Sequence, residues 1–171
     1  FHAYARTLPL PVIFDSVETK RIVEQDRFIA SVLALGRTVD IAVFTVGAVD
    51  HDSLALNLGQ LSATEKDLLV ERAVGDACSR FYRPDGGIAL PEVDARTVGI
   101  SLSDLRRIPT RVLVAGGAHK AEAIDVALRT KLATHLVIDD ATAERLLSLD
   151  SSDSLGSPDS PPSSTPPSAT D

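Results

Sequence analysis

Short apolar runs alternate along this chain with stretches whose apolar residues recur every three or four positions. The first pattern predicts buried strands and the second amphipathic helices, so their alternation predicts an α/β fold. Val12-Ile13-Phe14 reads as a short strand. Asp15 and Ser16 are helix-capping types, and a helix follows over residues 17–35, with a break and second cap near Gln25-Asp26. Ile22, Phe28, Ile29, Val32 and Leu33 form its apolar face, and Gly36 ends it. Residues 40–46 (Asp-Ile-Ala-Val-Phe-Thr-Val) make the clearest strand, closed by Gly47. Residues 51–62 are a polar connection holding His51, Asn57 and Gly59. Ser62 and Glu65 then form a capping box, opening a helix with Leu68, Leu69 and Val70.

The second half repeats the pattern. Phe81-Tyr82 and Ile88-Ala89-Leu90 flank the turn Arg83-Pro84-Asp85-Gly86-Gly87, which predicts a small hairpin. Residues 98–101 read as a short strand and residues 103–107 as a brief helix stopped by Pro109. Val112-Leu113-Val114-Ala115 is a strand, Gly116-Gly117 a turn, and Ala121, Ile124 and Leu128 mark the inner face of the next helix. Leu136-Val137-Ile138 is the last strand, and Asp139 opens a terminal helix.

Composition narrows the class. Of 171 residues, 44% are hydrophobic but only 4% aromatic, so Leu, Val, Ile and Ala must build the core, which suits α/β packing. A net charge of −7 argues against a free-standing nucleic-acid binder, because phosphate backbones reward Lys and Arg. The single cysteine, Cys78, excludes an internal disulfide and fits a reducing compartment. There is no apolar run of membrane-spanning length and no signal peptide, so the body is expected to be soluble and cytoplasmic. Beyond residue 150 the chain turns to Ser, Pro, Asp and Thr, so residues 1–149 are expected to fold and 150–171 to form a disordered tail.

Candidate chemistry gathers at the ends of strands, where open α/β sheets bind ligands. Gly116-Gly117 lets a ligand approach the backbone, and the helix start beyond it, at Ala118, offers unpaired amides to an anion. Lys120 adds a full positive charge there. The same residues would also serve as a plain tight turn with a solvated lysine. Gly47 marks a second such strand end and Asp139 a third, where a carboxylate can accept ligand hydroxyls or simply cap its helix. Asp76, beside Gly75, is a hydroxyl-binding carboxylate or a turn aspartate. Arg106-Arg107 could meet a phosphate or end a helix in solvent. The better-known phosphate motifs are absent, as are paired cysteines and His-Glu-x-x-His, so neither a metal nor a cofactor is expected.

Three segments carry a resemblance: Ala73-Val74-Gly75-Asp76, the run Gly99-Ile100-Ser101-Leu102 followed by Asp104-Leu105-Arg106 and Ile108-Pro109, and Gly116-Gly117 followed by Lys120-Ala121-Glu122-Ala123-Ile124. In this order they resemble the effector-binding domain of SorC/DeoR-type bacterial transcriptional regulators, over residues 8–149. The resemblance implies a Rossmann-like three-layer sandwich with a mostly parallel sheet, related to sugar-phosphate isomerases, glucosamine-phosphate deaminases and CoA transferases. It implies a phosphorylated sugar as effector, with its phosphate near Gly116, Gly117 and Lys120 and its hydroxyls near Asp76. Family members often carry an arginine before the glycine of the connecting loop. Asn57-Leu58-Gly59 stands here instead, so that contact is weakened, with Asn57 its candidate remnant.

By the same resemblance, a helix-turn-helix and the first strand-loop-helix of the effector domain are missing, and the start at Phe1 fits a fragment. The expectation is a sensor domain, homo-oligomeric, that controls DNA binding through a separate helix-turn-helix domain. The alternative is a sugar-phosphate isomerase or deaminase on the same fold, for which Asp76, Asp139 and His119 are the available acid–base groups.

Overall fold

A computed structural model describes residues 3–57 and 60–153. The tail beyond residue 153, and Leu58-Gly59 of the connecting loop, lie outside the described residues. The chain opens with α1 (Val17–Glu24) and α2 (Arg27–Gly36). The expected break falls between them, because the Asp26 carboxylate accepts the amides of Phe28 and Ile29 and starts a new helix. Gly36 is the last residue of α2. No residue of either helix is fully buried, and Ile22 and Phe28 of the predicted apolar face are exposed.

The strand expected over residues 40–46 divides at Thr45. Its first part, β1 (Ile41–Phe44), joins a parallel sheet; its second, β2 (Val46–Ala48), leaves for another sheet. Both parts are apolar, so the hydrophobic pattern runs through the joint unbroken. The parallel sheet has the order β1-β5-β6, with β5 at Thr110–Val114 and β6 at His135–Val137. In the other sheet, β2 pairs antiparallel with β3 (Gly75–Ala77), and β3 with β4 (Arg80–Tyr82). The remaining helices are α3 (Leu54–Asn57), α4 (Ala63–Arg72), α5 (Pro91–Ala95), α6 (Leu102–Arg107), α7 (Ala121–Arg129) and α8 (Asp140–Asp153). The capping box at Ser62 and Glu65 forms as its spacing predicts. α8 runs through residues 150–153, which the sequence had assigned to the tail.

Two further expectations need correcting. Val12-Ile13-Phe14 and residues 98–101 are not strands; they meet only through an isolated bridge, Ile13 with Thr97, and the Val98 amide bonding Val12 O. The hairpin at residues 81–90 also closes only partly, through Tyr82 with Ile88 and the Ala89 amide on Phe81 O.

Two apolar clusters hold these parts together. One gathers Phe44, Leu113, Leu105, Ile124 and Leu132 beneath the parallel sheet, and reaches Tyr82 of the hairpin. The other joins Ile13, Leu56, Leu69, Phe81 and Val93. Neighbouring residues of β4 therefore face different clusters, as a strand's alternation requires. Each fully buried Leu or Ile contributes about 1.5–3 kcal/mol. The opposite face of the parallel sheet is open: Ile41, Val43, Val114 and Val137 are 60%, 70%, 42% and 53% exposed. No helix among the described residues is long and apolar enough to cross a membrane.

Candidate functional site

A cleft of about 510 Å³ opens where β1 passes into β2. Gly47, Asp50, Ser53 and Asp76 line it from one side, His119 and Lys120 from the other. The local sequence explains how each arrives. Gly47 and Asp76 are partners across the β2–β3 ladder. β3 turns into β4 through Cys78 and Ser79, both with positive φ (53° and 60°), and the Ser79 amide reaches back to Asp76 Oδ2 at 3.3 Å. Lys120 ends a single 3₁₀ turn (Ala118–Lys120) after β5 and leads into α7.

Asp76 and α7 are tied together from behind. The Tyr82 hydroxyl, fully buried, donates to Ala123 O at 2.9 Å. Gly75 lies so close to Ala123, Tyr82 and the Gly47 carbonyl that a Cβ there would meet all three within 3 Å. Burial pushes the Asp76 carboxyl above the usual carboxylate range, against the Ser79 amide, the Lys120 ammonium and the Gly47 amide, which all favour its ionised form.

Of the residues singled out from sequence, the cleft brings together Gly47, Asp76 and Lys120. Gly116, Gly117, Ala118, Asn57 and Asp139 do not line it. The Gly117 amide, expected to face an anion, is already taken: it donates to Thr142 Oγ1 at 2.8 Å and to Asp139 Oδ2 at 3.1 Å. Asp139 also accepts the Thr142 amide at 2.8 Å, so it caps α8 and covers the glycine turn at once. These bonds, the one from the Thr142 amide foremost, hold its carboxyl below the usual range. A Cβ on Gly116 would sit 2.7 Å from the same carboxylate. Gly117 adopts φ +108°, a conformation that suits glycine alone.

Asn57 is a brace rather than a lining residue. Its amide donates to His51 O and Ser53 O, both at 3.1 Å, and its oxygen accepts Lys66 Nζ at 3.1 Å. Arg106 and Arg107 are also occupied elsewhere: Arg106 donates to Thr130 O and Gly86 O, and Arg107 pairs with Asp104.

Comparison with known proteins defines the lineage. The family model described as "Putative sugar-binding domain" matches residues 1–148. The deoxyribonucleoside regulator of Bacillus subtilis (strain 168) is 44% identical over 147 residues, covering 86% of this chain and 47% of that protein. The chain belongs to this sugar-binding domain family. Among solved structures, a DeoR family transcriptional regulator from Listeria monocytogenes superposes with a TM-score of 0.76 at 33% identity, over 82% of this chain and 57% of its own. A transcriptional regulator from Streptococcus pneumoniae TIGR4 gives 0.80 at 27% identity, over 88% and 58%. The Rossmann-like α/β fold of the domain agrees with these neighbours. The chain spans about half the length of the curated relatives it matches.

Sequence reasoning missed the near wall of the sugar-binding domain's cleft. Asp50 closes the strand-end segment that begins at Gly47, and Ser53 lies in the polar connection of residues 51–62. The one usable signal was position: the loop directly follows the strand end at Gly47.

Proposed function

We propose that this domain is the effector sensor of a bacterial transcriptional regulator, and that its effector is a phosphorylated sugar. Lys120 meets the phosphate, and Asp76 accepts the sugar's hydroxyls. Gly47 leaves room for the Asp76 carboxylate, which a Cβ there would push aside. The observation that carries this reading is the convergence of Lys120 and Asp76, from two separate elements, on one cleft at the carboxyl ends of β1 and β5.

The anion contact differs from the one the glycine turn suggests. With the Gly117 amide occupied, the phosphate depends on the Lys120 ammonium and on the start of α7, which no side chain caps. Gly116, Gly117, Ala118 and Asp139 then shape the turn that carries Lys120, and Asn57 shapes the opposite loop. A sensor also needs the ligand to favour one arrangement of the whole protein, or nothing downstream changes. We assign that response to a homo-oligomer in the cytoplasm, with DNA bound through a separate helix-turn-helix domain.

A sensor is favoured over an isomerase or deaminase by the relatives that the chain matches, which are named as regulators. The test is calorimetry on the full-length protein with a panel of pentose and hexose monophosphates, wild type against Lys120→Ala. Loss of heat and a fall in affinity of about tenfold or more is expected when one charged hydrogen bond is removed. Equal affinities would remove Lys120 from the site.

A further inference from the structure

The glycine turn after β5 carries Lys120, yet it holds on to the rest of the protein at few points. Among the described residues, of the amides of residues 116–119 only that of Gly117 bonds another element, and both its partners stand at the start of α8. The bond to Thr142 Oγ1 is 2.8 Å long and that to the Asp139 carboxylate 3.1 Å. The two differ in surroundings as well as in length. Thr142 is fully buried and Asp139 exposed, so water competes for the carboxylate but not for the hydroxyl.

A threonine in the first turn of a helix ordinarily turns its hydroxyl to solvent or to its own backbone. This one reaches another element. Its oxygen accepts the Gly117 amide, and the hydroxyl also bonds the Asp139 carboxylate, whose Oδ1 accepts the Thr142 amide. What it holds leads straight to the lysine. The Gly117 carbonyl accepts the Lys120 amide at 2.9 Å and so closes the 3₁₀ turn. Gly117 itself sits at φ +108°. Glycine has the widest conformational freedom, so that angle has to be fixed from outside the turn. On the far side, α7 is fixed by the Tyr82 hydroxyl on Ala123 O. Lys120 is therefore held between two anchors, and α8 supplies the one nearer β5.

We propose that Thr142 is a positioning residue of the anion site: by holding the Gly117 amide, it sets where Lys120 meets the ligand's phosphate. This rests on the cleft being the sugar-phosphate site. Without the hydroxyl, Gly117 keeps only its longer, solvent-accessible bond, and the turn samples arrangements in which the ammonium misses the phosphate. The ligand then meets a competent site part of the time, and its apparent affinity falls by that fraction.

The experiment measures dissociation constants by calorimetry on the full-length protein, with ribose 5-phosphate and glucose 6-phosphate as probes. Thr142→Val keeps the side chain's shape and removes its hydroxyl. Because Gly117 retains Asp139, the variant should fold, and its Kd should rise by about three- to tenfold. Thr142→Ser should bind within about twofold of the wild type. The decisive reading is the cycle with Lys120→Ala. On that background Thr142→Val should change Kd by less than about twofold, because the lysine it positions is gone, whereas a loosened fold would weaken binding equally on both backgrounds. Hydrogen exchange needs no variant: saturating ligand should slow the Gly117 amide, since a clamp that favours the ligand is favoured by it in turn. Wild-type affinity in Thr142→Val, a serine variant as weak as the valine one, additive losses in the double variant, or a Gly117 amide that exchanges equally fast with and without ligand each overturn the proposal. The sensor reading survives all four as long as Lys120→Ala weakens binding. If neither sugar phosphate binds the wild type, or Lys120→Ala binds as tightly, the two fall together.

Discussion

Gly47→Ala tests whether Asp76 grips the ligand. The two residues face each other across the β2–β3 ladder, and a Cβ built on Gly47 overlaps Asp76 Oδ1. Ordinary carbon–oxygen contacts lie near 3.3–3.6 Å, so the carboxylate has to withdraw by about 1 Å. What gives way is the tip of one side chain, not backbone, so the fold should lose only about 1 kcal/mol. Binding should suffer more. A hydrogen bond of about 2.7 Å stretched by about 1 Å is no longer one. A bond to a charged group contributes about 1.5–3 kcal/mol, which is about a 10- to 150-fold rise in Kd. Calorimetry with the tightest-binding sugar phosphate reads the loss, and thermal unfolding reads the fold. The double variant Gly47→Ala/Asp76→Ala should bind no worse than Asp76→Ala, since both changes act through one carboxylate. Wild-type affinity in Gly47→Ala, or additive losses in the double variant, would refute the reasoning.

Two further predictions concern the scaffold. Tyr82→Phe removes the bond to Ala123 O but leaves that carbonyl its helical partner, so the cost should be about 1 kcal/mol, seen as a lower denaturation midpoint at unchanged slope. A loss above about 3 kcal/mol would mean the carbonyl is left orphaned after all. Asp139 has a depressed carboxyl, so its stabilising contribution is full above the unfolded carboxylate value of about 3.9 and disappears as pH falls through the lower folded value. Asp139→Asn should therefore be less stable than wild type near neutral pH and converge with it in strong acid. A constant gap across the titration would count against Asp139 acting through its charge.

Much of the fold was legible because it was written in local chemistry. Ser16, Asp26 and Ser62 occupy caps that their residue types and spacing announce. What could not be read depends on pairing. The division at Thr45 is invisible because Phe44 and Val46 are equally apolar, although they join different sheets. The turn at Cys78-Ser79 lacks the Asn-Gly or Gly-Gly signature of tight hairpins, so the β3–β4 pair went unseen. At the site, Lys120, Asp76 and Gly47 carried signals of charge or flexibility, and the cleft gathers them. Asp139 and Asn57 looked the same by type, yet their partners lie in the protein itself. The Asp139 bond to the Thr142 amide is local and legible as a helix cap, but its bond to the Gly117 amide, 22 residues away, is not.

The uncovered side of the β1-β5-β6 sheet has a thermodynamic consequence. Parallel sheets are ordinarily sheltered on both sides, and here branched side chains stand in water. Whatever comes to rest on them, another part of a longer polypeptide or a neighbouring molecule, removes that surface from solvent and favours the folded form by mass action. The melting temperature of these residues is thus set by their company as well as by their sequence.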